Sequence, residues 1–316
     1  MSKSSLSTLF RAVAPEKKPG DVTVSYSQFS MWSTCPLRWK LCYIDKYKLG
    51  GPSIHTCFGT SFHETIQWYL HTMYTKSVKE ADQLDLESCL LEQMQTNYVL
   101  DIERNNNQHF SNKHELAEFY NDGVEILKWI KRRRVDYFKN IGFELIGVEL
   151  PLFIKASQNN DHVIMNGFLD LVIRDIENDK IIIIDFKTSG NGWNKYQKND
   201  KLKASQLVLY KSYFAEQYGY DVEKVDIQYF IVKRKLIEDF AYPQKRVQLF
   251  EPASGKPTRK KLQMEIDSFI NAGFNSDGSY KKDAQFPAIA GKNCKNCKYC
   301  EFNELYDLCP KENRIK

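Results

Sequence analysis

Two aspartates and a lysine stand out by type and spacing. Gly167-Phe168-Leu169-Asp170 is followed, after fourteen residues, by Asp185-Phe186-Lys187, which closes a run of four isoleucines, Ile181–Ile184. Burying charge is costly, so an apolar strand that ends in opposite charges usually carries them for chemistry. If Ile176–Asp179 is a turn, Asp175 pairs with Lys180, and the same register sets Asp170 opposite Asp185, side chains about 5 Å apart. Lys187 then projects from the same face as Asp185. An even register slip would preserve that face and an odd one would break it.

Two carboxylates held that close repel unless something positive sits between them. A divalent cation suits the gap, because Mg²⁺ prefers carboxylate and water oxygens and often completes its shell with substrate phosphate. Lys187 would stand beside it, placed to orient a water or stabilise a developing phosphate charge. Either acid alone reads as a strand end at the surface. The combination does not.

The elements that must hold these residues follow from local patterns. "FELIGVELPLFIKA", "HVIMNGFLDLVIRDI" and "KIIIIDFKTSG" read as three strands, "ASQLVLYKSYFAEQYG" as a helix and "KVDIQYFIVKR" as a further strand. This β-β-β-α-β order between helical flanks predicts an α/β (α+β) fold with a mixed sheet. Upstream, residues 25–47 suggest two short helices with Pro36 in the first turn of the second. A longer helix is expected from about Gly59, with Phe62, Ile66, Leu70 and Met73 as its apolar stripe. The expected division is a flexible tail (1–22), a helical part (23–75), a helical insertion (76–142), a core of sheet and helix (143–235) and a C-terminal helical and cysteine-rich region (236–316).

Eight cysteines are unevenly spread. Cys35, Cys42, Cys57 and Cys89 are scattered, whereas Cys294, Cys297, Cys300 and Cys309 crowd the last 23 residues. Cys-x2-Cys pairs in a chain without a secretion signal suggest a metal site rather than disulfides, and four close thiolates would suffice for Zn²⁺.

With 42% hydrophobic residues among 316, the chain can build a large core and is not of disordered composition. It has neither a long apolar span nor the apolar core of a signal peptide, and a cytosolic protein is expected. A net charge of +5 is compatible with a polyanionic partner. In the densest basic stretch, Lys131, Arg132 and Arg134 near Lys128 are candidates for phosphate contact, with a solvated helix face as the equal alternative. The absence of a Gly-x-x-x-x-Gly-Lys-Ser/Thr loop argues against a helicase.

"GFLDLV" followed by "IIIIDFKTS" resembles motifs II and III of the PD-(D/E)XK nuclease superfamily, most closely the RecB-like branch with the AddB nuclease domain, CRISPR adaptation nucleases and phage exonucleases. That resemblance implies a restriction-endonuclease-like mixed sheet flanked by helices. "FGTSFHETIQ" is similar to motif I, so His63 corresponds to the metal-ligating histidine. The implied catalytic set is His63, Asp170, Asp185 and Lys187, with Mg²⁺ or Mn²⁺ held by His63, Asp170, Asp185 and Phe186. "QLVLY" resembles the family's Gln-x-x-x-Tyr helix, with Gln206 and Tyr210 facing lysine or substrate. Glu149 matches an acidic residue that many members carry on the first core strand.

Iron–sulfur members of that branch join one N-terminal and three C-terminal cysteines around a [4Fe-4S] cluster. "TCPLRWK" resembles their N-terminal context, which implies Cys35, Cys297, Cys300 and Cys309, with Cys294 as a substitute. The last gap, eight residues, is longer than the family's usual one, and Zn²⁺ is the alternative. The implied activity is a DNA nuclease, an exonuclease on DNA ends or single strands, serving recombination, repair or phage DNA processing in a bacterial or phage-infected cell. A separate helicase or recombination partner would accompany it. A non-catalytic DNA-binding subunit of the same fold and a zinc-containing RNA-binding protein are the competing readings.

Overall fold

The isoleucine run forms a strand hydrogen-bonded on both sides. The computed structural model describes residues 6, 10–48, 50–237 and 241–316. In chain order its elements are β1 (Val22–Val24), α1 (Tyr26–Thr34), α2 (Pro36–Trp39), α3 (Ile54–Thr75), α4 (Val78–Asp82), α5 (Leu86–Arg104), α6 (Lys113–Arg132), β2 (Phe143–Ser157), β3 (Asn160–Asp175), β4 (Lys180–Ser189), α7 (Lys195–Lys198), α8 (Lys201–Tyr218), β5 (Val225–Lys233), β6 (Val247–Phe250), α9 (Lys256–Gly273), β7 (Ala288–Ile289) and β8 (Arg314–Ile315). Most of the expected N-terminal tail before residue 10 lies outside the described residues.

The chain divides into two compact units. The first comprises Met1–Val13, Gly51–Pro151 and Phe168–Ser254. Its sheet is mixed: β3 runs antiparallel to β4, β4 parallel to β5, and β5 antiparallel to β6. Parallel neighbours need a crossover, which α7 and α8 supply. Asp200 caps the start of α8, and Gly219, left-handed at φ 74°, ends it.

Period-2 alternation splits β4 between two environments. Ile184 and Phe186 join Leu171, Ile173, Phe230 and Val232 in a core with apolar residues of α3, α5 and α6. Asp185 and Lys187 point to the opposite face. The stripe Phe62, Ile66, Leu70 and Met73 is buried as expected. Helix α3 starts at Ile54, earlier than expected, because Ser53 and Thr56 cap its first turn reciprocally. Gly59 therefore lies inside the helix, where an added Cβ would stand 3.3 Å from Thr188 Oγ1 of β4.

The second unit comprises Ala14–Gly50, Leu152–Gly167 and Gly255–Lys316. Here β1 pairs in parallel with Val163–Met165 of β3. Trp39, fully buried, is surrounded by Tyr43, Phe269, Phe274, Tyr280 and Phe286. Pro36 opens α2 as expected, and β7 pairs with β8 near the C-terminus.

Candidate active site

The β3–β4 hairpin turn is held by Asp175, which accepts the backbone N–H and side-chain amide of Asn178, and by Asp179 at φ 48°. Its register, from Asp175 opposite Lys180 to Leu171 opposite Ile184, is the one read from the sequence. The ladder stops one pair short of the two aspartates. Beyond it, Asp170 Oδ2 accepts the N–H of Phe186 at 2.7 Å, so a side chain continues what the backbone began. Phe186 has its ring buried in the core and its N–H given to Asp170. The one donor it could offer a metal is its carbonyl oxygen.

Lys187 Nζ lies 2.6 Å from Asp185 Oδ2, and that oxygen receives no other donor among the described residues. Burial, followed by the charge of Asp185, raises Asp170 well above the usual carboxylate range. Burial raises Asp185 too, although Lys187 pulls it back. Burial works against the Lys187 ammonium, but Asp185 and Asp170 outweigh it and hold its pKa above the ordinary value. The group thus carries an excess of carboxylate, and one lysine is its internal counter-charge.

His63 reaches the same electrostatic neighbourhood from α3. Burial, assisted by Lys187, pushes its pKa down to about 3, so the ring is neutral at working pH. Its Nε2 is buried with no hydrogen-bond partner among the described residues. One turn on, Gln67 is 1% exposed and donates to Glu149 Oε1 at 2.7 Å and to the Asp170 carbonyl at 3.4 Å. Sequence reasoning missed Gln67. Its signal was the four-residue spacing from His63 on one helix face. Glu149 sits in β2 at φ 48°, an unusual conformation for a non-glycine residue, and its other oxygen accepts from Arg11 at 2.8 Å. The charge of Glu149 helps to raise both aspartates, which places it beside the group.

From α8, Gln206 Nε2 donates to Tyr210 Oη at 3.3 Å. Tyr210 is buried, its pKa pushed up to about 12 by burial, and the charges of Asp185, Lys187 and Asp170 act on it. These two residues therefore share one helix face beside the lysine. The basic stretch is different. Lys131 donates to the Asp82 carbonyl, and Arg134 to Tyr69 Oη and Asp82 Oδ1, both at 2.7 Å. Candidates for phosphate contact, with a solvated helix face as the equal alternative, these two bond within the protein itself. Arg132 alone of the three is exposed.

In the second unit, Cys35, Cys297, Cys300 and Cys309 line one cavity, while Cys294 is exposed and does not line it. Cys35 Sγ accepts the N–H of Ile289 at 3.4 Å. As they stand, no three His, Cys, Asp or Glu side chains among the described residues are placed to hold a metal ion. The donor chemistry nevertheless suits two different metals. The orphaned His63 Nε2 and the acids Asp170 and Asp185 are a hard-cation set; the four thiols are a soft one.

A match to the PD-(D/E)XK nuclease superfamily covers residues 23–305. The chain belongs to that superfamily, whose members are generally nucleases that use Mg²⁺ or Mn²⁺, and the mixed sheet flanked by helices agrees with its fold. A nuclease fold implies DNA as substrate. No curated protein matches the chain. Among the described residues, no helix is long and apolar enough to cross a membrane.

Proposed function

We propose that this chain is a Mg²⁺- or Mn²⁺-dependent deoxyribonuclease of the RecB-like branch, an exonuclease acting on DNA ends or single strands in recombination, repair or phage DNA processing. The observation that carries the reading is the group of buried Asp185 with half-buried Asp170 and Lys187, and the unpartnered His63 Nε2 beside it. His63, Asp170, Asp185 and the Phe186 carbonyl would hold the cation. When bound there, it supplies Lewis-acid polarisation of the phosphoryl oxygens and a low-pKa water.

The residues themselves do the rest. Asp170, fixed by the Phe186 N–H, and Asp185 provide the negative charge that selects a cation. Lys187 stays protonated and is free to leave Asp185 for the scissile phosphate, where it stabilises the charge that develops. His63 stays neutral, as a ligand must. Gln67 holds Glu149 and the Asp170 carbonyl in place. Gln206 and Tyr210 form the substrate-facing wall of α8.

In the second unit, Cys35, Cys297, Cys300 and Cys309 would hold a structural [4Fe-4S] cluster, with zinc as the alternative occupant. The shared cavity supports this set over one that contains Cys294. Tying Cys35 to the tail closes a loop of roughly 260 residues, a constraint of the kind that stabilises a fold through its unfolded state.

End-labelled linear and circular DNA, single- and double-stranded, incubated with Mg²⁺, Mn²⁺ or EDTA, tests the activity. Metal-dependent cleavage of linear DNA alone is expected. Cleavage of circles would make the protein an endonuclease, and binding without cleavage under any metal would make it a non-catalytic subunit.

A further inference from the structure

Four cysteines around a cavity account for ligands but not for the charges beside them. Two arginines also line that cavity, Arg38 and Arg314. Arg38 has one guanidinium nitrogen on Glu301 at 2.7 Å. Arg314 bonds through its terminal nitrogens to the Asn303 side chain and to the carbonyls of Asn303 and Cys309, each at 2.8 Å. In both, Nε is buried and has no acceptor among the described residues. The two come from distant parts of the sequence, one beside Cys35 and one near Cys309.

A buried, charged N–H donor without an acceptor is costly, and native proteins rarely keep one. Two around one cavity, one on a guanidinium anchored by Glu301 and one on a guanidinium whose terminal nitrogens are both bonded, indicate an acceptor between them. The thiols there would supply it once deprotonated: thiolate sulfur is anionic and accepts N–H bonds. We infer that Arg38 and Arg314 are positioning residues for a metal–thiolate centre, donating their Nε–H groups to its sulfurs and offsetting its negative charge. This rests on the proposed metal centre in the second unit and adds to it the groups that set its stability and potential. Hydrogen bonds to sulfur and nearby positive charge draw electron density from the ligands, which favours the reduced form of an iron–sulfur cluster and slows ligand loss.

The test separates the two ideas. Protein purified anaerobically, or reconstituted with iron and sulfide or with zinc, is assayed first for bound metal, alone and as Cys35→Ala. Wild type that takes up no metal overturns the metal centre and this inference with it. Metal-loaded Arg38→Lys and Arg314→Lys, which keep a positive charge but lose the Nε–H, are then compared with wild type at equal metal content.

An iron–sulfur centre should become harder to reduce by about tenfold in its equilibrium, about 59 mV for a one-electron couple. A zinc centre should instead lose metal to a chelator about tenfold faster. Arg314 also braces Asn303 and Cys309, so if its variant does not fold, Arg38→Lys decides alone. Unchanged potential and release rate in a folded, fully loaded variant would overturn the arginine role while leaving the metal centre standing.

Discussion

Asp170 Oδ2 accepts the N–H of Phe186 one residue beyond the last paired position of the β3–β4 ladder. That bond fixes one carboxylate beside the second, Asp185, whose side chain leaves β4 on the face opposite Phe186. A backbone N–H favours the ionised form of Asp170, yet burial and Asp185 together win, and the net shift is upward. Without a cation the site is therefore electrostatically unfavourable to its own acids.

The consequence is a pH dependence of stability with a definite sign. Acids whose folded pKa is raised bind protons more tightly folded than unfolded. Their stabilisation is full below the ordinary carboxylate pKa and is lost as pH rises through the folded values. In EDTA, melting temperature should fall from mildly acidic to neutral pH, and Asp170→Asn, which still accepts the Phe186 N–H, should flatten that fall. Added Mg²⁺ should flatten it in wild type. Parallel pH curves for wild type and mutant in EDTA would show that these acids are not under strain.

Lys187 has two roles, which one substitution separates. As the internal partner of Asp185 it stabilises the metal-free fold, so Lys187→Met should melt earlier in EDTA. As the cation beside the phosphate it acts on the chemical step, so kcat should fall by about 10²-fold with little change in KM. A raised KM with unchanged kcat would make it a binding residue.

His63 is neutral throughout the working range, so its protonation should not shape the pH–rate profile. Its contribution is a lone pair. His63→Ala should raise the Mg²⁺ or Mn²⁺ concentration for half-maximal activity by at least the roughly 10-fold that disturbing a contact supporting a metal ligand costs. The direct check is calorimetric titration of metal into DNA-free protein. Equal affinities would remove His63 from the ligand set.

What the sequence revealed follows the range of each interaction. The hairpin register was legible because a four-residue turn and the period of two leave little freedom, and Asp170, Asp185 and Lys187 came with it. The start of α3 was not, because its capping box is completed by Thr56 rather than by a Glu or Gln. The unusual φ of Glu149 left no trace in its residue type. Gln67 was hidden because an isolated glutamine on a helix is ordinary until its partners are known. Lys131 and Arg134 looked like a basic patch because their partners, Asp82 and Tyr69, lie about 50 and 65 residues away in sequence.

Arg134 and its neighbour Arg132 give the last prediction. Arg134 bridges Asp82 and the hydroxyl of Tyr69, whose ring is fully buried. Arg134→Gln should therefore cost about 1 kcal/mol in denaturant unfolding, the partial exposure of Asp82 keeping the loss modest. It should leave the salt dependence of single-stranded DNA binding alone. Arg132 is exposed, and if it meets a phosphate, Arg132→Gln should lower the slope of log K against log salt by about 0.7 with stability unchanged. The pair of variants thus exchanges readouts: one moves stability and not slope, the other slope and not stability. An Arg134→Gln protein of wild-type stability with a reduced slope would return that arginine to the nucleic acid.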